Sequence, residues 1–549
     1  MRNDSVRAVL VFAALIAAPA LATASSSEGR PFPMVAVAAG EGEVILHPAL
    51  HELDEIRSLS RVVFKEVPVP GGGAVTLELK RVILSEATTR VFVDGQPVDF
   101  RMPASFWSGR ISGQEDSYAF LALSQYGCRG WFGTAGNVNH LIARPNVQGD
   151  WNFSDSRLVT SERLDRDGFK PEFNCNLLDT PGSSGLIEVD PSAPMSALTG
   201  PIPNFDAPIA FETDYEFYQD TFGGNMPAAQ TYAFSLIASI SDRYREQVGV
   251  IFSLPYVGFH SVNNDGWTST DCFGRLEQFR SAWANGGAPV HAELYHLISG
   301  VPVSGCGGVA YLPGLCDQQY GFGMSAHING NVTFPPVQGP LTWDFMVVAH
   351  ELGHNFGSPH THDYSPPIDR CASGDCTVTP NGTIMSYCHT CPGGMSNITL
   401  YFHSRVATVI RNFVVASSCI DPFRGVLTDD IGFALAGSNG TPALDVLYHQ
   451  GAPDTMEIDI QNAPVNQSGM LVIGVSAAMT PIFGGTLVPS LDVLIPITAN
   501  ASGVVNFSFP VNLSVPNGVP FWTQAWIQDP AGANPYAATN AIEGELITP

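Results

Sequence analysis

The segment 350–360, which reads HELGHNFGSPH, constrains this chain more than any other stretch. On a helix, His350 and His354 are four residues apart and share one face. Their imidazoles can therefore occupy two corners of a tetrahedral zinc site. Gly357 can end the helix with a positive φ, so that His360 returns as a third ligand. Three histidines leave the fourth position to water, as a catalytic zinc site requires.

A glutamate in this segment stands where a general base is needed. Glu351 follows the first histidine and can reach a metal-bound water without coordinating the metal. Accidental H-E-x-x-H sequences occur in long chains, and a single histidine on an apolar helix face is more often a core residue. The glycine and the third histidine at these offsets favour a metal site over coincidence. Thr342 can cap the helix, and the apolar residues among 343–349 supply its buried side.

Taken together, these residues resemble the elongated zinc signature of the metzincin metalloproteases. The second mark of that family is a Met-turn, and residues 383–388 resemble one, with Met385 25 positions after His360. The likeness covers about 205–424 and is greatest to the reprolysin or ADAM-type branch. Three features carry it: an FETDY strand at 211–215, a GGVAY segment at 307–311, and cysteines on both sides of the Met-turn.

The resemblance implies an α/β (α+β) catalytic domain with a mixed sheet and a zinc helix. Met385 is then expected beneath the metal as an apolar floor, and residues 307–313 at the edge of the sheet, where an extended substrate pairs. The resemblance also suggests a disulfide between Cys316 and Cys419. Tyr387 occupies the position from which other metzincins contact zinc or the oxyanion; the reprolysin branch generally lacks that role, and ordinary packing is the alternative.

One departure from the family pattern concerns the third ligand. In ADAM-type proteins an aspartate commonly follows the third histidine at once, whereas here Thr361 and His362 come before Asp363. His362 can therefore compete for the metal. Only His360 has the three-residue offset from Gly357, so it remains the predicted ligand.

The length and charge of the chain limit its organisation and its partners. A chain of 549 residues is too long for one core and suggests three or four domains. The formal net charge is −26, and no lysine or arginine follows Arg424. Such a surface repels nucleic acid and anionic membranes, which excludes both as partners.

The first residues are typical of an export signal. Arg2 and Arg7 precede an apolar run at 8–16, and small residues at 22–24 suit signal peptidase. We expect a signal peptide over 1–24 rather than a membrane anchor, because Pro19 interrupts a run already too short to span a bilayer. No later segment is long and apolar enough to span, so the mature protein is predicted to be secreted and extracellular.

Ten cysteines agree with an oxidising compartment. Eight of them lie in the predicted catalytic domain, where we expect disulfides rather than the redox or zinc-ribbon motif that Cys388-x-x-Cys391 alone suggests. Cys128 and Cys175 precede that domain. Either can act as a cysteine switch whose thiolate fills the open zinc position, or the two can be paired with each other.

The regions on both sides of the predicted catalytic domain are β-rich. Residues 25–204 contain alternating runs and an Asp94-Gly95 hairpin turn, and their position resembles the propeptide of ADAM-type enzymes. The polar stretch 180–203 is the predicted linker, and 163–166 is a possible processing site. Residues 425–549 show short alternating runs broken by Gly, Asn and Pro, which predicts an all-β sandwich. Substrate docking, attachment and spacer roles remain open for it.

These features predict a secreted zinc endopeptidase, made as a zymogen, that hydrolyses peptide bonds of proteins with Glu351 as general base. The alternative is a non-catalytic adhesion or carbohydrate-binding protein with a vestigial zinc site, and a zinc hydrolase of non-peptide substrates is a third reading. Many carboxylates are compatible with calcium, but no EF-hand or glycine-rich repeat argues for it. A monomer is assumed.

Overall fold

The structure of the chain is a computed structural model. The predicted signal peptide 1–24, the possible processing site 163–166, Thr342, and all but Thr180 and Pro181 of the linker 180–203 lie outside the residues it describes. The described residues are 29–40, 42–57, 59, 61–82, 84, 89–134, 137–146, 148–152, 154–160, 175–181, 205–303, 306–330, 343–377, 382–420, 422–423, 425–449, 453–511 and 518–547.

The N-terminal region contains thirteen described strands and one short helix. Ten of the strands form one sheet in the order β1-β4-β5-β8-β9-β10-β11-β12-β3-β2, and β6, β7 and β13 belong elsewhere. The elements are β1 Arg30–Pro31, β2 Met34–Gly40, β3 Glu43–Pro48, α1 Leu50–Ile56, β4 Arg61–Pro68, β5 Ala74–Val82, β6 Val91–Val93, β7 Gln96–Val98, β8 Ser105–Ile111, β9 Tyr118–Leu123, β10 Arg129–Thr134, β11 Asn137–Arg144, β12 Asp155–Thr160 and β13 Cys175–Asp179.

Alternating side chains give the ten-stranded sheet its core. Phe64, Leu77, Trp107 and Leu121, from four neighbouring strands, are all fully buried in one cluster. Side chains along a strand alternate between the two faces, so these residues point to the same side and bury together.

The central sheet contains the elements expected for 205–424. Its strands are β14 Phe205–Thr213, β15 Val250–Phe259, β16 Leu294–Ile298, β17 Gly308–Leu312 and β18 Phe322–Ser325. The helices longer than one turn are α2 Met226–Val248, α3 Cys272–Trp283, α4 Trp343–Asn355 and α5 Ser404–Ala416. The strand expected at 211–215 corresponds to the end of β14, the segment 307–311 overlaps β17, and the helix expected at His350 is α4.

This sheet does not end at the predicted domain boundary. Its eight strands run in the order β13-β17-β18-β16-β14-β15-β6-β7, so three strands of the N-terminal region extend it at both edges. The predicted hairpin is β6–β7, and its turn residues Asp94 and Gly95 have φ values of 50° and 75°, as a type I′ turn requires. At the other edge, β17 runs antiparallel to β18 and is covered by β13 in parallel pairing.

The C-terminal region is built of strands, as predicted. A six-stranded sheet of β19, β22, β25, β27, β28 and β29 and a three-stranded sheet of β20, β21 and β26 pack around one hydrophobic cluster. Its strands are β19 Gly425–Gly432, β20 Ala443–His449, β21 Thr455–Gln461, β22 Ser468–Gly474, β23 Ala477–Ile482, β24 Gly485–Pro489, β25 Val493–Thr498, β26 Val505–Pro510, β27 Val519–Gln528, β28 Tyr536–Ala538 and β29 Ala541–Ile547. Among the described residues, no helix is both long and apolar enough to cross a membrane.

Candidate metal centre

Helix α4 carries the first two histidines and is buried along its whole length. The ring centroids of His350 and His354 lie 4.8 Å apart, on one face of the helix. A buried carboxylate fixes the start of this helix. Asp344 accepts hydrogen bonds from the Tyr232 hydroxyl at 2.5 Å and from the Gly330 amide at 3.1 Å. Burial raises the pKa of Asp344 to about 7 despite these bonds.

The chain reverses immediately after α4. Gly357 has a φ of 88°, as the sequence predicted. Its amide donates to the His354 carbonyl at 2.8 Å, and the Ser358 amide donates to the Gly353 carbonyl at 3.0 Å. A Cβ on Gly357 would also lie 2.9 Å from the Phe413 ring, so both the backbone angle and the available space require glycine.

This reversal brings His360 to the other two histidines. A nitrogen from each of His350, His354 and His360 lies within 4.8 Å of the other two. The Nε2 atoms of His354 and His360 are 3.1 Å apart. His350 and His354 are fully buried and His360 is 5% exposed, so few competing water molecules reach the three rings.

Backbone carbonyls orient two of the imidazoles. His350 Nδ1 lies 2.6 Å from the Ile384 carbonyl oxygen, and His354 Nδ1 lies 2.8 Å from that of Ser358. A carbonyl oxygen only accepts, so each Nδ1 carries the hydrogen and each Nε2 keeps its lone pair. This is the usual outer-shell arrangement of metal-binding histidines.

The three imidazoles are held neutral. Burial lowers the pKa of His350 to about 4, and burial together with the neighbouring histidines lowers that of His360 to about 2. The pKa of His354 is also well below its ordinary range, mainly because of burial. Neutral imidazole is the form that binds a divalent metal, so the donor set fits zinc at neutral pH.

His362 lies beside the three histidines rather than among them. Its ring stacks on that of His360, with centroids 5.0 Å apart and planes at 9°. The potential metal ligands nearest to it are His360 and Asp363. The structure therefore places His360, and not His362, in the group with His350 and His354.

Glu351 lies between the metal group and β17, which is not the edge strand expected for 307–313 because β13 pairs with its outer side. It is fully buried, and a Cβ on Gly308 would lie 2.3 Å from its Oε1 atom. Only a residue without a side chain lets the carboxylate lie this close to β17. The Gly307-Gly308 pair belongs to the family resemblance, but its steric role was not predicted from the sequence.

The Met-turn contacts both the helix of the first histidine and the segment of the third. Met385 is fully buried, and its Sδ atom lies 2.5 Å from where a Cβ on Gly353 would be. The carbonyl of the preceding Ile384 accepts from His350, and the Met385 carbonyl accepts from the Thr361 amide at 3.0 Å. Met385 therefore packs against the helix of the first two histidines while its backbone holds the segment of the third.

Tyr387 follows the Met-turn and is half-buried beside the histidines. Its ring centroid lies 4.6 Å from that of His360 and 6.3 Å from that of His350. It also packs against His362 at 5.0 Å. Its position beside two of the three histidines is compatible with either of the roles considered for it.

Comparison with known families agrees with this geometry. Residues 207–402 match Reprolysin_5, described as metallo-peptidase family M12. These residues form a reprolysin-like metzincin metallopeptidase domain. The match includes the three histidines, Glu351 and Met385, and it ends before α5 and the C-terminal region.

Other comparisons add nothing to this assignment. No curated protein sequence matches the chain significantly. One solved structure with a similar segment is entitled "Structure of a chaperone-substrate complex", at 12% identity and a TM-score of 0.25, covering 39% of this chain and 35% of that one. The chain thus spans about a third of that protein, and a likeness this low carries no argument.

Disulfides brace the reprolysin-like domain around the metal group. The expected bond between Cys316 and Cys419 is present. Cys371–Cys388 and Cys376–Cys391 tie the segment after the third histidine to the segment after the Met-turn, and Cys272–Cys306 is the fourth bond. Each cysteine of the Cys388-x-x-Cys391 motif thus bonds to a different residue outside it, and disulfides are the use that was expected.

The two remaining cysteines lie in different surroundings. Cys128 is a free thiol buried in the core of the ten-stranded sheet, where it donates to the Ser124 carbonyl at 3.3 Å. The alternative that it is paired with Cys175 is therefore wrong. Burial raises the pKa of Cys128 to about 11. Cys175 begins β13 and is paired in register with Gly308, the residue against which Glu351 lies.

Proposed function

We propose that this chain is a secreted zinc endopeptidase made as a zymogen, and that Glu351 is its general base. The observation that carries the proposal is the convergence of three neutral, buried imidazoles beside a buried glutamate that lies against β17. The match to the M12 family supports metallopeptidase chemistry in general. The four disulfides and the predicted signal peptide support secretion.

His350, His354 and His360 would hold the zinc ion. Zinc bound there would act as a Lewis acid, lowering the pKa of a coordinated water and polarising the scissile carbonyl. Glu351 accepts the proton of the attacking water and delivers it to the leaving amine. The carbonyls of Ile384 and Ser358 keep the imidazoles in the orientation this requires, and Met385 excludes water beneath them.

The substrate is proposed to be an extended polypeptide. Strand β17 has one side paired to β18 and the other to β13, and Gly308 brings that second side next to Glu351. A peptide that replaces β13 would gain the same backbone hydrogen bonds and lie along the catalytic group. A polypeptide can pair with β17 through its backbone, which favours a peptide substrate over the non-peptide substrates considered from the sequence.

Latency follows from the same pairing. While β13 occupies β17, no substrate strand can add there. Of the two candidate switch residues, Cys175 is the better placed, because its register partner is Gly308. Cys128 is held within a separate hydrophobic core and its thiol has a raised pKa, both of which disfavour a thiolate ligand.

The non-catalytic alternative has less support. A site that only binds a metal has no need of a carboxylate buried beside three imidazoles, since burying such a group costs free energy. The C-terminal region remains a candidate for attachment or substrate docking. A monomeric state remains a prediction, and calcium remains compatible with the many carboxylates without a motif that argues for it.

The proposal is tested by hydrolysis of casein by the chain cut within 182–204. We expect cleavage that a zinc chelator abolishes and added zinc restores. Glu351→Gln should retain one zinc per chain and lose at least a hundredfold in rate, because general base catalysis contributes about 10²–10⁴-fold. Glu115→Gln, at an exposed position of the N-terminal region, is the matched control. Failure of the cut, zinc-loaded protein to cleave casein or any peptide of a random library would contradict the proposal.

A further inference from the structure

The N-terminal region and the reprolysin-like domain share one hydrophobic core. A single cluster of buried side chains contains Met102, Phe106 and Trp131 from the first and Phe211, Phe234 and Trp343 from the second. Phe100 stacks on Phe234 of helix α2 with centroids 4.7 Å apart, and Trp151 packs on Phe222 at 5.4 Å. A core of this kind is typical of a permanent interface rather than of a segment that departs.

A buried arginine also contacts both sides of this interface. Arg129 of β10 is fully buried, and its guanidinium lies 5.1 Å from the ring centroid of Tyr232 and 5.4 Å from that of Trp151. The Tyr232 hydroxyl in turn donates to Asp344, at the start of the zinc helix. Arg129 contacts Tyr232, and Tyr232 contacts Asp344, so two successive contacts connect the N-terminal region to the helix that carries His350 and His354.

The hairpin β6–β7 adds backbone pairing on the far side of the sheet. Val91, Phe92 and Val93 pair in parallel with Val257, Gly258 and Phe259 of β15. Phe92 stacks on Tyr256, with centroids 4.5 Å apart. Removing the N-terminal region would therefore uncover both a strand edge and the aromatic side chains beside it.

The C-terminal region holds the N-terminal region by ion pairs. The side chain of Arg81 on β5 is 1% exposed and is paired with Asp429 of β19 and, at 3.5 Å, with Glu543 of β29. The Arg101 guanidinium approaches Gly432 so closely that a Cβ there would lie 2.1 Å from its Nη2. No lysine or arginine follows Arg424, so the C-terminal region cannot supply these cations itself. Loss of Arg81 would leave the buried Asp429 side chain without its cation, which is strongly unfavourable.

Strand β13 differs from the rest of the N-terminal region. It has five residues and lies between 161–174 and 182–204, both outside the described residues. Its described attachments are the backbone pairing to β17, the packing of Leu178 on a core cluster, and two hydrogen bonds of Thr180 to the carbonyls of Leu312 and Pro313. None of the described side chains in the shared core or in the buried ion pairs belongs to β13.

From these contacts we infer that residues 29–160 stay bound after the chain is cut within 182–204, as a non-covalent partner of the reprolysin-like and C-terminal regions. Activation then consists of the departure of β13 from β17, with the remainder of the N-terminal region retained as part of the working enzyme. The inference rests on the proposed function only where it calls the departure of β13 activation. Retention itself is a property of the interface.

The test uses a chain with a site-specific protease sequence inserted within 182–200, in a Glu351→Gln background so that self-digestion cannot remove the fragment. After the cut, size-exclusion chromatography and native mass spectrometry should find the two pieces together at a 1:1 ratio. Separation of the pieces at micromolar concentration, with both still folded by circular dichroism, would overturn the inference.

Charge variants test which contacts retain the fragment. Arg81→Gln should raise the dissociation constant of the cut pieces at least tenfold. Arg110→Gln, which removes an exposed ion pair with Glu78 inside the N-terminal region, should change it less than twofold. Equal effects of the two variants would contradict the role given to Arg81. If Arg81→Gln does not fold, Asp429→Asn on the other side of the same pair provides the same comparison.

Activity is measured separately, on a chain that retains Glu351 and is cut and purified in the same way. Peptide hydrolysis by the retained complex supports the inference that only β13 must leave. A retained complex without hydrolysis, which becomes active once the fragment is stripped off, overturns that part. A lack of activity in both forms instead counts against the proposed function and leaves retention established.

Discussion

The two edges of the central sheet are both covered by strands of the N-terminal region, yet the two coverings differ. At β15 the covering strand belongs to the hairpin β6–β7, whose Phe92 stacks on Tyr256 of the sheet. At β17 the covering strand is β13, which runs between two segments that lie outside the described residues. The backbone pairing is parallel at both edges, so pairing alone does not distinguish them.

The difference lies in what else holds each strand. The β6–β7 hairpin is continuous with residues that form the shared core, whereas the described attachments of β13 are its backbone pairing, Leu178 and Thr180. A strand paired at such an edge can be exchanged for another, because an added strand restores backbone hydrogen bonds. We therefore propose that the edge at β17, next to Glu351, is the exchangeable one.

The largest expected effect concerns the chemistry at the β17 edge. His360→Ala should lose the zinc ion and at least a thousandfold in activity, because two ligands cannot hold a catalytic site together. His362→Ala should keep one zinc per chain, since that ring stacks on His360 outside the three-histidine group. Zinc content by elemental analysis decides between them, and zinc loss in His362→Ala alone would assign the third ligand to that residue.

The second-largest effect is expected on stability, at the β15 edge. Phe92→Ala should lower the free energy of unfolding by about 2 kcal/mol, because a half-buried aromatic ring that stacks on Tyr256 is lost. The uncut chain should gain no peptidase activity. Chemical denaturation and a peptide assay measure the two quantities, and a gain in activity would show that this edge also controls latency.

A smaller effect is expected at β13 itself. Thr180→Pro removes the amide that donates to the Leu312 carbonyl at 3.1 Å, and we expect the activity of the uncut chain to rise about tenfold. Thr180→Ala is the control, because it loses only the hydroxyl bond to Pro313. Unchanged latency in both variants would mean that this end of β13 does not hold the strand on β17.

The smallest effect separates the two cysteines. Cys128→Ser should leave the latency of the uncut chain unchanged, whereas Cys175→Ser should raise its activity. The native Cys128 thiol should also resist alkylation at pH 8, since burial raises its pKa to about 11 and excludes the reagent. Mass spectrometry after iodoacetamide treatment measures this, and rapid native labelling of Cys128 would contradict its placement.

Local patterns in the sequence were enough to predict the metal group. The spacing of His350 and His354, the positive φ of Gly357 and the return of His360 are consequences of helix geometry and of one glycine. The Met-turn and the bond between Cys316 and Cys419 came from resemblance to a family. The roles of Gly308 and Asp344 were missed, because the contacts they permit join segments distant in the sequence.

The connections between regions could not be predicted for the same reason. Strand β13 pairs with a segment more than a hundred residues later in the sequence. Two parallel strands so far apart are not joined by a tight turn, so the sequence contains no turn motif that would predict their pairing. Helix α2 is buried on more than one side, and Phe234 stacks on Phe100 of the N-terminal region. The sequence pattern of this helix does not predict that a second region packs on it, because serines and arginines lie among its apolar residues.

Hydrogen exchange measured before and after a cut within 182–204 tests the contrast between the two edges most directly. The account predicts that the β17 amides facing β13 lose protection, while the β15 amides facing β6 remain as protected as in the uncut chain. Loss of protection at both edges would show that the whole N-terminal region departs, and would contradict the account.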